Sequence, residues 1–256
     1  MEIAEIDDSI KAMLNKKVQF FEKMTKKGSQ VVTEIIQWDV ASWSVCLDFW
    51  EEHVNWGKVH FALELGCKKG GLSLWLARKG IAVICSDITN AEKNAEELHL
   101  RYSCNQQIQY QNIDGTDIPY NEYFDVIIFK SIVGGVGINN NKMAQTKLFH
   151  QIYQALKPGG VVLFAENLVS TPVHQWMRRK FVHWGKGWRY VNLEEMDSFL
   201  KEFTCVQMKT TGVIASMGRS ETQRRILSWL DRGILNYITP RSWKYIVYGV
   251  AQKPFS

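Results

Sequence analysis

A glycine-rich segment in the first half of the chain has the composition of a loop that holds a nucleotide-type ligand. The sequence ELGCKKGGLS runs from Glu64 to Ser73 and continues the apolar run HFALEL. Glycines permit backbone angles that other residues avoid, and they let the main chain approach a ligand closely. A helical pattern follows the loop and aims free N–H groups at the same place. Such a loop alone is weak evidence, because many nucleotide-binding proteins contain one.

Acidic residues recur at the ends of the apolar runs that follow. Asp87 comes about twenty residues after the loop, where an acidic side chain can accept both hydroxyls of a ribose. Asp114 closes the next run and is followed by Gly115, a position suited to the edge of an adenine ring. Turn formation is the alternative explanation for both residues, and for Asp114 the two explanations have similar weight.

These residues need a parallel sheet that brings the ends of its strands together. Apolar runs alternate with helical patterns through the middle of the chain, which is typical of βαβ units. The predicted fold class is α/β: a Rossmann-like, doubly wound, mostly parallel seven-stranded sheet with an antiparallel last strand and a helical N-terminal cap. The predicted strands are residues 60–65, 81–87, 108–114, 124–130, 161–167, 205–213 and 243–252.

The chain is predicted to divide after residue 57. Residues 1–57, with helices at about 8–27 and 42–54, would form an N-terminal cap or lid. Residues 58–256 would form the Rossmann-like domain. This domain is expected to carry an inserted segment near 171–192, rich in tryptophan, histidine and arginine, and a helical insertion near 214–240.

Composition and charge predict a cytoplasmic protein with an anionic partner. No apolar run approaches the length of a membrane span. The five cysteines are odd in number, widely spaced and never paired as CxxC, which argues against a disulfide framework and a metal site. The formal net charge is +5, and from residue 171 onward 14 Lys and Arg residues face 6 Asp and Glu. A phosphate-bearing substrate or a membrane surface would suit this segment, and a solvated basic face explains it equally well.

Five motifs, in this order and spacing, resemble those of class I methyltransferases that use S-adenosylmethionine (AdoMet). They are ELGCKKGG, CSD, NIDGTD, YFDVIIFK and ALKPGGVVLFAE, and the resemblance covers roughly residues 58–167. It implies the Rossmann-like fold, AdoMet as cofactor, S-adenosylhomocysteine as its product, and methyl transfer as the activity. The family's usual pattern has a glycine where this chain has Lys68, which brings a side chain and a positive charge near a sulfonium cofactor. Either this side chain points outward without effect, or it reduces the affinity for the cofactor.

The resemblance also implies roles for individual residues. Asp87 would bind the ribose, Asp114 the adenine, and Lys130 would lie at the mouth of the fourth strand beside the methyl group. The full set expected to bind the cofactor is Glu64, Gly66, Cys67, Gly70, Asp87, Ile88, Asp114, Gly115 and Lys130. Glu64 has an alternative role as a capping acid for the helix after the loop.

Three residues are candidates for catalysis. His174 and Glu166 could accept the acceptor's proton, because Glu166 ends the fifth strand and His174 follows in the insertion beside Arg178 and Arg179. Such a base must reach the attacking atom directly or through one water. Lys130 is the third candidate. A lone histidine is more often structural than catalytic, and Lys130 could equally be a solvated lysine at a strand end.

The acceptor is predicted to be a small molecule. The segments WGKGWRY and IVYGVAQK resemble methyltransferases encoded with bacterial surface-polysaccharide genes, which implies an oxygen of a sugar or sugar conjugate. Nucleic acid is not an expected partner, because no NPPY-like tetrapeptide follows the fourth strand and no separate basic module is present. The amphipathic stretch 221–238 would suit a membrane surface or the partner in a homodimer, or it packs on its own sheet.

Two other functions remain open on the sequence alone. Lys68 favours a non-catalytic binding protein with a methyltransferase fold. The pattern GxxxGG at 66–71 and the pair Tyr153 and Lys157 as YxxxK resemble short-chain dehydrogenases that use NAD(P). That pair, however, immediately precedes a helix-stopping Pro-Gly-Gly, whereas the dehydrogenase pair lies inside a long helix.

Overall fold

The structure is a computed structural model that describes residues 30–181 and 187–255. The predicted helix at about 8–27 and the first three residues of WGKGWRY lie outside the described residues. The helices are α1 (residues 30–36), α2 (Val40–Trp43), α3 (Val45–His53), α4 (Gly71–Ala77), α5 (Ala91–Arg101), α6 (Val133–Val136), α7 (Lys142–Ala155), α8 (Pro172–Phe181), α9 (Leu193–Phe199), α10 (Glu221–Leu230) and α11 (Asn236–Ile238).

Seven strands form one sheet in the described part of the chain. They are β1 (Phe61–Leu65), β2 (Ala82–Asp87), β3 (Ile108–Asn112), β4 (Phe124–Lys130), β5 (Leu156–Asn167), β6 (Thr204–Thr211) and β7 (Ile246–Gln252). Their order is β3-β2-β1-β4-β5-β7-β6, and β7 runs antiparallel to both of its neighbours. The predicted fold class is confirmed, including the antiparallel last strand.

Two apolar clusters lie on opposite faces of the sheet because successive strand residues point in opposite directions. Ala62 and Val83 belong to one cluster, which also contains apolar residues of α3, α4 and α5. Leu63 and Ile84 belong to the other, together with residues of α7 and α9. Strands covered on both faces are mostly apolar, as β4 is between Val126 and Phe129.

The N-terminal segment is part of the same core as the sheet. Trp50 of α3 is fully buried, and its indole Nε1 donates a hydrogen bond to the backbone oxygen of Gly249 in β7 at 2.9 Å. The division of the chain at residue 57 and the two domain ranges remain predictions.

The C-terminal helical insertion is fixed to the end of β6 by one carboxylate. Asp231 begins a π-helical turn after α10 and is 1% exposed. Its oxygens accept hydrogen bonds from the backbone N–H groups of Val213, Ile214 and Ala215 at 2.8 to 3.1 Å.

Several large apolar residues of this insertion stay exposed, namely Ile226, Trp229, Ile234, Tyr237 and Ile238. The predicted contact with a membrane surface or a second copy remains a prediction. No helix in residues 30–181 and 187–255 is long and apolar enough to cross a bilayer.

Candidate functional site

A cavity of about 360 Å³ lies at the carboxyl ends of β1, β2, β4 and β5. We call it the first cavity. Open α/β sheets bind ligands at this edge, beside the point where the strand order reverses, which here lies between β1 and β4. Eight of the nine residues predicted to bind a cofactor line it: Glu64, Gly66, Cys67, Asp87, Ile88, Asp114, Gly115 and Lys130.

The loop after β1 owes its path to glycine. Gly66 has a φ of 65°, and a Cβ atom there would lie 2.4 Å from Cγ2 of Ile132. Any side chain at position 66 would therefore enter the space between the loop and Ile132. Gly70, the ninth predicted residue, does not line the first cavity. It has a φ of 70° and packs so closely against the ring of His99 that a Cβ atom would lie 2.5 Å from it.

Glu64 is buried beneath the loop and holds the first turn of α4. Its Oε2 accepts hydrogen bonds from the backbone N–H of Ser73 at 2.7 Å and from Ser73 Oγ at 2.5 Å. Burial raises the pKa of Glu64 to about 7. These contacts are those of a capping acid, while the same side chain also lines the first cavity.

Two acidic residues border the first cavity from β2 and from the segment after β3. Asp87 accepts hydrogen bonds from the N–H of Lys68 at 2.9 Å on Oδ2 and from the N–H of Ile88 at 2.8 Å on Oδ1. Each carboxylate oxygen can accept a further bond, so Asp87 retains acceptor capacity for ligand hydroxyls. Asp114 Oδ1 accepts bonds from the N–H and Oγ1 of Thr116 at 2.8 and 2.9 Å, which is the turn geometry that the sequence left open.

Lys68 adopts the backbone conformation that favours glycine. Its φ is 53°, in the left-handed region, and its side chain is exposed at the rim of the first cavity. A residue with a Cβ atom loses roughly 1–2 kcal/mol in this conformation. The strain gives a physical reason for the glycine that the family's usual pattern has at this position.

Replacement of Lys68 by glycine is expected to strengthen AdoMet binding a few-fold, because it removes a cation beside the cavity. Calorimetric titration of both proteins with AdoMet and with S-adenosylhomocysteine measures the change. The uncharged sulfur of S-adenosylhomocysteine provides the internal control, so the gain should be larger for AdoMet. Equal or weaker AdoMet binding by Lys68→Gly would contradict this account of the loop.

Lys130 ends β4 and reaches the first cavity beside Trp43. Its Nζ lies 4.9 Å from the centroid of the Trp43 ring. Burial lowers the pKa of Lys130. A sulfonium group bound here would therefore meet an ammonium that loses its proton more readily than an exposed lysine does.

A second cavity of about 450 Å³ adjoins the first, since Trp38 and Asn167 line both. Its other lining residues come from α8, from the segment 187–190, from the segment before α10, from α10 itself, and from the residue that precedes β7. They are His174, Met177, Arg178, Phe181, Tyr190, Ser216, Met217, Gly218, Arg219, Arg224 and Tyr245. The first and second cavities are therefore neighbours, and Trp38 and Asn167 form the wall that they share. This arrangement suits the binding of two reactants side by side.

The three candidate catalytic residues lie in different places. His174 is 4% exposed and lines the second cavity, with its Nδ1 2.8 Å from Thr171 Oγ1. Burial lowers the pKa of His174, which favours the neutral imidazole that can accept a proton. Lys130 lines the first cavity. Glu166 lines neither cavity. Its carboxylate accepts hydrogen bonds from the N–H groups of Val133 at 2.8 Å and Asn167 at 2.7 Å.

The fully buried Glu166 should make stability depend on pH. Burial raises the pKa of Glu166 to about 7 from its ordinary 4.5. Between these values the folded protein binds more protons than the unfolded chain, so Glu166 destabilises the fold increasingly as pH rises. Glu166→Gln should therefore gain stability relative to the native protein between pH 5 and pH 8, by on the order of 1 kcal/mol.

Thermal unfolding of both proteins across this pH range measures the difference. Glu97→Gln, at an exposed position of α5, is the matched control. Because each variant is compared with the native protein at the same pH, contributions from the other buried acids cancel. A difference in melting temperature that stays constant from pH 5 to pH 8 would show that Glu166 is not the buried titrating group described here.

Sequence reasoning did not identify the wall between the cavities. Trp38 comes before Asp39, which has a φ of 46° and whose Oδ2 accepts a hydrogen bond from Tyr245 Oη at 2.6 Å. No sequence pattern predicts that long-range contact. The sequence did contain a signal for Asn167. It follows Glu166 at the carboxyl end of β5, and successive side chains along a strand point to opposite faces of the sheet.

Residues 63–164 match a family model described as a methyltransferase domain. The match runs from β1 into β5 and includes most of the lining of the first cavity. The sequence has no significant match among curated proteins. Tyr153 and Lys157, the pair that resembles a dehydrogenase, line neither the first nor the second cavity, and Lys157 Nζ pairs with Asp125 Oδ1 at 2.6 Å.

Several solved structures share the fold. Haemonchus contortus phosphoethanolamine N-methyltransferase 2, in complex with phosphomonomethylethanolamine and S-adenosylhomocysteine, is 19% identical with a TM-score of 0.56, and the match covers 83% of this chain and 53% of that one. A Galdieria sulphuraria protein described as a sarcosine dimethylglycine methyltransferase is 19% identical with a TM-score of 0.60, over 82% and 86%. The [4+2]-cyclase SpnF is 16% identical with a TM-score of 0.56, over 83% and 81%.

These likenesses extend to the fold alone at such low identity. This chain spans about half the length of the phosphoethanolamine methyltransferase chain that it matches. The cyclase among the neighbours shows that one fold carries more than one reaction, so function has to be argued from the cavities.

Proposed function

We propose that this protein is a class I AdoMet-dependent methyltransferase, with the cofactor in the first cavity and a small-molecule acceptor in the second. The observation that carries the proposal is the placement of Gly66, Asp87 and Asp114 around one cavity, at the edge of the sheet where ligands bind. The match of this region to a methyltransferase-domain model supports it. So does the S-adenosylhomocysteine bound to the Haemonchus contortus neighbour.

The residues around the first cavity fit AdoMet. Gly66 lines the first cavity without a side chain, so a ligand can approach its main chain closely. Asp87 has the acceptor capacity for two ribose hydroxyls, and Asp114 borders the position expected for adenine. Ile88 is 65% exposed at the same edge and offers an apolar surface to a planar ring.

Bound AdoMet would supply a methyl group already activated by its sulfonium, so the protein's part is chiefly to position the acceptor. Near-attack geometry of two reactants can contribute roughly 7–11 kcal/mol to lowering the barrier. Trp38 and Asn167 form the shared wall at which an acceptor in the second cavity would approach the first. His174 is the proposed base, because the neutral imidazole borders the acceptor's cavity.

An oxygen of a sugar or sugar conjugate is the acceptor that we propose. This proposal rests on the resemblance of the segments WGKGWRY and IVYGVAQK to methyltransferases encoded with bacterial surface-polysaccharide genes. Residues 184–186 of the first segment lie outside the described residues. The test is release of S-adenosylhomocysteine from AdoMet with a panel of sugars, sugar phosphates and small amines. Release with a sugar supports the proposal. Release only with amines would keep the methyltransferase and overturn the sugar acceptor.

A cytoplasmic location is also proposed. All five cysteines are free thiols, and four of them are buried. Free thiols persist in a reducing compartment, whereas oxidising compartments favour disulfides.

A further inference from the structure

The second cavity concentrates positive charge. Arg178, Arg219 and Arg224 line it together with His174, and no Asp or Glu is among its lining residues in the described ranges. Three guanidinium groups around a partly enclosed space create a local field that favours an anion. Arginine also suits oxyanions geometrically, since its planar fork donates two parallel hydrogen bonds.

Arg178 reaches the cavity without a carboxylate partner among the described residues. Its Nη1 donates hydrogen bonds to the backbone oxygens of Leu168 at 2.6 Å and Val169 at 3.3 Å. The guanidinium carbon lies 4.1 Å from the centroid of the Tyr190 ring. These contacts fix the plane of the guanidinium and leave its charge unpaired. Burial lowers the pKa of Arg178, because desolvation disfavours its charged form.

Of the other two arginines, only Arg224 pairs with a carboxylate in the described part of the chain. Arg224 Nη1 pairs with Glu221 Oε1 at 2.7 Å, and its guanidinium carbon lies 5.0 Å from the centroid of the Trp38 ring. Arg224 Nε is buried without a hydrogen-bond partner in the described part of the chain. Arg219 has no carboxylate partner there, and its guanidinium carbon lies 6.0 Å from the Phe181 ring centroid. Two guanidinium charges therefore lack a neutralising group.

One of these arginines also lies next to the wall between the two cavities. Arg224 packs on Trp38, which is part of the shared wall, and Asn167 borders the same wall from the end of β5. A molecule anchored by the arginines would extend its other end to the first cavity. A phosphate ester carries a charge of about −1.5 to −2 near pH 7, which matches two unpaired guanidinium groups better than a single carboxylate does.

We propose that the second cavity holds the methyl acceptor by a phosphate ester, through Arg178, Arg219 and Arg224. The acceptor's reacting atom then lies at the wall formed by Trp38 and Asn167. The reaction itself rests on the proposed function, whereas the oxyanion site is argued from the arginines of the cavity.

Calorimetric titration with inorganic phosphate, and separately with acetate, tests the oxyanion site. The native protein should bind phosphate in the millimolar range or more tightly, and acetate more weakly. Arg219→Gln should weaken phosphate binding by about tenfold or more, since it removes a charge-assisted contact. Arg225→Gln changes the exposed neighbour of Arg224 on α10 and should bind phosphate as the native protein does. Arg178→Gln provides a second variant should Arg219→Gln lower the melting temperature.

Three results would overturn this inference: absence of phosphate binding, equal phosphate affinity in Arg219→Gln and Arg225→Gln, or acetate binding as tight as phosphate binding. AdoMet titration of the same samples separates it from the proposed function. AdoMet binding without phosphate binding removes this inference alone. Phosphate binding that depends on Arg219, in a protein that does not bind AdoMet, would remove the proposed function and leave only an oxyanion site.

Discussion

Replacing Asp87 by alanine is expected to weaken AdoMet binding by about a hundredfold or more. Two hydrogen bonds from ribose hydroxyls to a carboxylate contribute on the order of 1.5–3 kcal/mol each, and both are lost. The change also removes the acceptor for the Lys68 N–H, which holds the loop at 2.9 Å. Because the ribose is common to both ligands, S-adenosylhomocysteine should lose affinity by the same factor.

Calorimetry with both ligands measures this loss. Asp117→Ala is the matched control, since Asp117 is exposed near the same edge of the sheet and does not line the first cavity. Equal affinity of Asp87→Ala and Asp117→Ala would show that Asp87 does not contact the ribose.

Gly71→Ala is expected to destabilise the protein and to open the first cavity. A Cβ atom at position 71 would lie 2.2 Å from the backbone oxygen of Ile35, so α1 must move away from the start of α4. Overpacking of this kind costs about 1–3 kcal/mol. In a protein of this size that corresponds to a fall in melting temperature of roughly 3–10 °C. Ile35 and Gly71 both line the first cavity, so AdoMet affinity should fall as well.

Gly233→Ala provides the control for Gly71→Ala. A Cβ atom at Gly233 would meet no heavy atom within 4 Å, so the same change of chemistry occurs there without a clash. Thermal unfolding of the two variants gives the comparison. A Gly71→Ala protein as stable as Gly233→Ala would contradict the close contact between α1 and α4.

The strands could be predicted where apolar runs end sharply. The run FDVIIFK predicted residues 124–130, and β4 spans Phe124–Lys130. The fifth strand was predicted to begin at 161, yet β5 begins at Leu156. Lys157, Pro158 and the two glycines continue the strand there, because Leu156 pairs with Phe124 across a register shift in the ladder. Pro158 and Gly159 follow the end of α7, as predicted, but they do not delay the start of β5.

The first cavity was predictable because its residues follow the strands along the sequence. The carboxyl ends of parallel strands meet at one edge, so Glu64, Asp87 and Lys130 were expected to lie together. The second cavity was not predictable from local patterns. Trp38, Arg178 and Arg219 are far apart in the chain, and the contacts that assemble them, such as that of Tyr245 with Asp39, have no sequence signature.

Titration of the native protein with AdoMet, and then with S-adenosylhomocysteine, tests the central claim most directly. We expect one binding site for each ligand, with dissociation constants on the order of micromolar and competition between the two. Saturating S-adenosylhomocysteine should therefore abolish the heat of AdoMet binding. No binding of either ligand at millimolar concentration would contradict the claim that the first cavity is a cofactor site.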